Sequence, residues 1–173
     1  MKTILVTGPI GSGKSAACRY LASLDFPVYD CDSRTKMLYS LVPGLKCSIE
    51  ERLDLSWSEI GRVFEDPDKL RTLEQMVYPY VVEDLRKWKE AQCGPLLFVE
   101  SAIAQDKPQF DALYDEVLLV TAPLELRAAR NPKVAARDAL QSFDPARINH
   151  TVVNDGTKEQ LQQQIRQLIC KLI

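Results

Sequence analysis

Gly8-Pro9-Ile10-Gly11-Ser12-Gly13-Lys14-Ser15 is the stretch whose residue types and spacing carry the clearest chemistry. It satisfies G-x-x-x-x-G-K-[ST], the pattern of a phosphate-binding loop. Glycines at these positions let the backbone curl until successive N–H groups face one anion, and a following helix N-terminus adds partial positive charge. Lys14 supplies a cation for the β- and γ-phosphates of a nucleoside triphosphate, and the Ser15 hydroxyl is a ligand for Mg²⁺. The residues expected to hold the nucleotide run from Gly8 through Ala16. The motif acquires meaning only between a strand and a helix. Ile4-Leu5-Val6-Thr7 ahead of it reads as a buried strand, and Ala17, Tyr20, Leu21 and Leu24 behind it recur at helical spacing. The competing reading, a chance Gly-Lys-Ser in a turn, is disfavoured by that context.

Asp30 and Asp32 form the second constellation. Two residues apart, they face the same way if the strand persists. Asp32 fits a base that accepts the proton of an acceptor hydroxyl. It also fits the N-cap of a helix starting at Ser33, and its place just past the second strand of a phosphate-loop fold favours the base. Asp30 then contacts Mg²⁺ through water or supports Asp32 from behind. Glu100 ends an apolar strand, a position suited to an acid that meets Mg²⁺ through water, and equally to a strand-ending or capping role. Arg127, Arg130, Lys133 and Arg137 lie between the last two strands, where a mobile lid would place cations over a phosphoryl group in transfer. Arg130, beside the Asn131-Pro132 break, is the first choice for catalysis and Arg137 the next; the alternative is a solvated helix face. Arg34 and Lys36 are placed to hold an anionic acceptor, and His150, ahead of a strand, reads as structural.

Positioning these groups requires alternating strands and helices. Further strands are expected at Pro27–Tyr29, Pro95–Val99, Val117–Thr121 and Thr151–Val153. Helices are expected from Ser33 to Leu41, from Asp66 to about residue 92 with a kink or break near Tyr78 at Pro79, from Pro123 to Arg130, from Lys133 to Ser142, and at the carboxyl end. Residues 45–66 look irregular, apart from a capping-box pattern at Ser56–Glu59. The pattern is that of an α/β fold, a parallel five-stranded sheet wrapped by helices. Ligands collect at the carboxyl ends of such strands, so the loop, three carboxylates and Asn154-Asp155-Gly156 should share one edge, with Asp32 one strand over from the loop.

Composition narrows the partners. At 173 residues with 46% hydrophobic and 27% charged residues, the chain is expected to form one globular domain, or one with a small inserted subdomain. A net charge of −2 provides no basic field for nucleic acid and no polybasic membrane anchor. The five cysteines lack metal spacing and are expected to be reduced, mostly buried thiols of a cytoplasmic protein. The apolar run after Met1-Lys2-Thr3 is too short for a signal peptide, and no stretch is long enough to span a bilayer. No face reads as a large apolar patch, and a monomer is expected.

Taken together, these pieces resemble the dephospho-coenzyme A kinase family. The likeness is carried by Thr7–Ser15 followed by Val28-Tyr29-Asp30-Cys31-Asp32, similar to the family's Asp-Ala-Asp element. It continues through Val63-Phe64-Glu65-Asp66-Pro67 with Leu70, Leu73-Glu74 and Tyr78-Pro79, then Val120, Ala122, the Arg127–Gln141 stretch and Val153-Asn154-Asp155-Gly156. The resemblance implies a phosphate-loop kinase that moves the γ-phosphoryl of ATP, with Mg²⁺, to the ribose 3′-hydroxyl of dephospho-coenzyme A. It implies Asp32 as the catalytic base, Asn154 near the adenine, a helical substrate insert at roughly 41–93 between core segments 1–40 and 94–173, and a lid at roughly 127–141. The chain departs from the family in having Tyr78 where His is usual, Glu100-Ser101-Ala102-Ile103-Ala104-Gln105 in place of the usual strand phrase, and a shorter lid. Rival readings are a small kinase acting on a nucleoside monophosphate or on a metabolite such as shikimate, and a regulatory nucleotide-binding switch. The switch should carry a guanine-reading Asn-Lys-x-Asp segment, which this chain lacks.

Overall fold

Five short apolar runs pair side by side as parallel strands in the computed structural model, which describes residues 1–138 and 143–173, with the backbone alone for 136 and 137. The strands are Lys2–Thr7 (β1), Val28–Asp30 (β2), Leu96–Glu100 (β3), Glu116–Thr121 (β4) and His150–Val153 (β5), in the spatial order β2-β3-β1-β4-β5. Parallel pairing needs long crossovers, and helices supply them: Lys14–Ser23 (α1), Cys31–Leu41 (α2), Leu45–Leu53 (α3), Pro67–Glu90 (α4), Leu124–Arg130 (α5), Val134–Arg137 (α6) and Lys158–Leu172 (α7).

Alternate residues of the central strands serve the two faces of the sheet. Ile4, Val6, Phe98, Leu118 and Val120 pack against Ala17 and Leu21 of α1 and Leu161 and Ile165 of α7. Leu5, Val99 and Val117 pack the other way, against Leu38, Ile49, Val77, Val81 and Leu85 of α2, α3 and α4. The helices of the expected insert therefore form the second half of the core.

Several local expectations change. The break at Pro79 does not occur; α4 is one helix of 24 residues. A proline inside a helix costs about 3 kcal/mol, but α4 buries Leu73, Val77, Val81 and Leu85, each contributing roughly 1.5–3 kcal/mol, while Pro79 lies on the exposed side. Residues 45–66 are ordered as α3 followed by a 3₁₀ segment, Trp57–Glu65, and Ser56 N–H and Oγ both donate to the Glu59 carboxylate. The second helix starts at Cys31, with Asp30 as its cap. The helix expected from Lys133 to Ser142 is seen as α6, and residues 139–142 lie outside the described residues. All five thiols are free, as expected, but Cys47, Cys93 and Cys170 are exposed and only Cys18 and Cys31 are buried. Among the described residues no helix is long and apolar enough to cross a membrane.

His150 is indeed structural. Its Nε2 lies 2.5 Å from Glu116 Oε2, and Lys2 Nζ donates to Glu116 Oε1 at 2.7 Å, tying the amino ends of β1, β4 and β5. Lys2 first, then His150, holds the Glu116 carboxyl below its ordinary range. The resulting stability is present above the unfolded pKa of a glutamate and is lost as pH falls through the lower folded value. Thermal melts of Glu116→Gln and the parent should therefore differ at neutral pH and converge below about pH 4. A gap unchanged down to acid pH would contradict the ion-pair origin.

Candidate functional site

β1 delivers the chain into the loop at a point where only glycine fits. Gly8 has φ +147°, and a Cβ there would lie 2.0 Å from the carbonyl oxygen of Val120 at the end of β4. At Gly13, φ is +101° and a Cβ would lie 2.1 Å from Asn154 Nδ2. The loop is thus seated on the carboxyl ends of β4 and β5 by direct backbone approach. Asn154 Nδ2 donates to Ser12 O at 2.8 Å, while Asn154 N–H donates to Thr121 O at 2.7 Å.

Arg127 completes the seat from α5. Its guanidinium is buried, donates from Nε to Ala122 O and from Nη1 to Ile10 O, and pairs with both oxygens of Asp138 at 2.5 and 2.9 Å. Arg130, one turn on and exposed, reaches Gly11 O at 3.4 Å and Asn154 O at 3.1 Å. The carbonyls of Ile10 and Ser12 are turned toward these donors, so across the trans peptide plane the N–H groups of Gly11 and Gly13 point the opposite way. Ser12 Oγ is buried in the loop and has no hydrogen-bond partner among the described residues. The side chain of Arg137 lies outside the described residues.

Lys14 Nζ curls over its own loop, donating to Gly8 O at 2.7 Å and Pro9 O at 3.3 Å. Burial lowers its pKa, and the Glu100 and Asp32 carboxylates oppose that shift. Its ammonium therefore sits within the field of both acids. Ser15 Oγ donates to Glu100 Oε1 at 2.6 Å. Strand order explains the contact: β3 lies between β1 and β2, with Val6 and Asp30 both in register with Glu100. Asp32 is accordingly two strands from the loop, not one, and Glu100 occupies the space between them.

The two aspartates have separate surroundings. Asp30 caps α2, with Oδ1 accepting from Ser33 N–H at 3.1 Å and Oδ2 from Ser33 Oγ at 2.6 Å. Asp32 lies in the first turn, exposed, and its side chain makes no hydrogen bond or ion pair among the described residues. The helix-cap alternative for Asp32 is thereby taken by Asp30. Arg34, placed by sequence to hold an anionic acceptor, is instead paired bidentately with Asp84 at 2.8 and 2.6 Å, whereas Lys36 is exposed. Tyr78 donates to Glu74 Oε1 at 2.7 Å, and Lys107 donates to the other oxygen at 2.7 Å.

The chemistry available is phosphoryl transfer. Cys18 and Cys31 are not nucleophiles: burial pushes the Cys18 thiol far up and the Cys31 thiol to about 12. Among the described residues no group of three His, Cys, Asp or Glu is arranged to hold a metal alone. The Ser15 hydroxyl and the Glu100 carboxylate fit Mg²⁺, which keeps most of its waters and binds through substrate phosphates plus one or two protein oxygens. Sequence reasoning left Glu100 undecided and missed Asp84. Strand order hid the first, and the second is an acidic residue on a long helix with no motif around it.

No family model matches the chain. A curated relative from Porphyromonas gingivalis, called dephospho-CoA kinase, is 31% identical over 175 residues, which cover 89% of this chain and 86% of that protein. A solved structure from Thermus thermophilus superposes with a TM-score of 0.79 at 28% identity, covering 99% of this chain and 98% of its own. A shikimate kinase from Acinetobacter baumannii, at 21% identity and a TM-score of 0.56, covers 99% of this chain and 94% of its own, and shares the fold alone.

Proposed function

The chain belongs to the dephospho-coenzyme A kinase family and is an ATP-dependent kinase; on that premise we propose how its own residues carry the γ-phosphoryl of ATP to the ribose 3′-hydroxyl of dephospho-coenzyme A. The observation that carries the assignment is the order of groups along the sheet edge: Asp32, then Glu100 bound to Ser15, then Lys14 in its loop.

The inward N–H groups of the loop and Lys14 hold the β- and γ-phosphates. The acceptor oxygen attacks the γ-phosphorus in line, the bond to the β–γ bridging oxygen breaks, and ADP leaves. Asp32 takes the proton of the attacking hydroxyl and returns it to solvent. Its exposed carboxylate, free of the capping duty that occupies Asp30, supports that role. Arg130, already against Gly11 O and Asn154 O, stabilises the charge that builds on the equatorial oxygens. Mg²⁺ would be held by Ser15 Oγ and, through water, by Glu100; bound there, it neutralises charge on the β- and γ-oxygens. Glu100 takes this duty in preference to Asp30, whose two oxygens are both engaged by Ser33. Asn154 flanks the nucleotide, residues 41–93 cover the acceptor, and 127–138 belong to the lid; the Arg137 side chain and residues 139–141, expected to complete these roles, lie outside the described residues. The protein acts as a cytoplasmic monomer on a small molecule, with neither nucleic acid nor membrane as partner; its five free thiols support that compartment.

An ADP-release assay with dephospho-coenzyme A, AMP or shikimate as acceptor tests this reading. Release should depend on dephospho-coenzyme A. Equal release with and without it, or a preference for AMP or shikimate, would overturn the acceptor assignment.

A further inference from the structure

The side chain of Asp32 makes no hydrogen bond or ion pair among the described residues, so its position depends on the β2–α2 elbow that carries it. That elbow is gripped on both sides by one carboxylate from another element. Asp84 of α4 accepts Tyr29 Oη on Oδ2 at 2.6 Å, and Tyr29 is the buried residue immediately before Asp30. The same carboxylate accepts Arg34 Nε on Oδ2 at 2.8 Å and Arg34 Nη2 on Oδ1 at 2.6 Å, and Arg34 lies two residues after Asp32. The Arg34 guanidinium also rests 5.8 Å from the centre of the Tyr29 ring, which packs against Trp88 one turn along α4 at 5.3 Å.

We propose that Asp84 is a positioning residue for phosphoryl transfer, holding the Asp32 elbow at a fixed height above the sheet edge through Tyr29 and Arg34. The three bonds fix direction as well as distance. A carboxylate accepting a bidentate guanidinium tolerates little rotation, and the phenol takes the second lone pair of Oδ2. The charge on Asp84 is held: Arg34 first, opposed by burial and aided by Tyr29, keeps its carboxyl below the ordinary range. Because α4 belongs to the segment proposed to cover the acceptor, the base and the acceptor-binding helix then move as one body. Acceptor contacts on α4 are thereby transmitted to the oxygen that must meet the 3′-hydroxyl. The inference rests on Asp32 as the base.

A double-mutant cycle separates positioning from bulk stability. Asp84→Asn replaces an acceptor oxygen by an amide that faces the Arg34 donors, and should lower kcat by ~10–10²-fold, the cost of a misplaced group. KM for ATP should stay as in the parent, because the phosphate loop is two strands away. In an Asp32→Asn background the same change should cost nothing further, since its effect passes through Asp32. Arg34→Lys, which keeps the charge and loses the fork, should fall between parent and Asp84→Asn. Should Asp84→Asn fail to fold, Tyr29→Phe and Arg34→Lys carry the cycle, because both keep the buried packing. An equal fractional loss in both backgrounds, or an unchanged kcat in the folded variants, overturns the proposal. Parent-like turnover in Asp32→Asn alone would instead identify the assignment of the base as the failure.

Discussion

Asp32→Asn should lower turnover with dephospho-coenzyme A by ~10²–10⁴-fold, the range for removal of a general base, while leaving ATP binding nearly intact. The structure makes this a clean substitution. Asn is isosteric, Asp32 is exposed, and the capping duty that would have confused the result belongs to Asp30. The remaining structural effect is loss of a negative charge in the first turn of α2, about 0.3–1 kcal/mol from the helix dipole. The rate loss corresponds to roughly 2.7–5.4 kcal/mol at 1.36 kcal/mol per tenfold, so the catalytic effect exceeds the structural one. Single-turnover phosphoryl transfer, measured beside nucleotide binding and a thermal melt, distinguishes the two. Parent-like turnover would return Asp32 to the role of a helix-terminal charge.

Lys14→Ala should act differently, damaging nucleotide affinity and rate together. The Lys14 ammonium bridges Gly8 O and Pro9 O, so its removal strips the cation and leaves Gly8 O without that donor, while Pro9 O keeps the Ser12 N–H at 3.2 Å. Loss of one preorganised donor at developing charge costs ~10²–10³ in rate. The weaker binding follows from the proposed contact of the same ammonium with phosphate in the ground state. Its lowered pKa, caused by burial, also means that the free enzyme's Lys14 loses its proton at lower pH than a free lysine. Affinity for ATP should accordingly decline on the alkaline side in the parent and lose that limb in Lys14→Ala. Parent-like affinity and rate in the variant would undo the assignment of the loop.

The two substitutions differ in how far the sequence alone reaches. Lys14 belongs to a contiguous motif whose chemistry is local, since eight consecutive residues build the cradle and its flanks announce a strand and a helix. The three inner strands of the sheet were legible for a similar reason. Strands buried on both faces are apolar throughout, and Ile4–Thr7, Leu96–Val99 and Val117–Thr121 are such runs. Asp32 was legible only as one of two aspartates. Which of them caps α2 depends on one turn of backbone geometry, and helix ends are the least sharply encoded feature of a chain.

Other features depended on pairing and burial. Arg127 and Arg130 are three residues apart on the same helix and read alike in sequence. Packing buries Arg127 against Asp138 and Ile10, leaving Arg130 on the open side of the loop. Pro79 read as a helix break because its local penalty is visible in sequence, whereas the burial that outweighs it comes from distant strands.

The donor half of the proposed site is written locally in the chain: the phosphate loop, its lysine and serine, and the strand–helix frame that aims them. These depend on residues that are neighbours in the chain. Tertiary structure decided the rest, because strand order is set by how crossovers pack, and no local pattern records it. Inserting β3 between β1 and β2 brought Glu100 to Ser15, moved Asp32 a second strand away, and brought the elbow of Asp32 under the grip of Asp84.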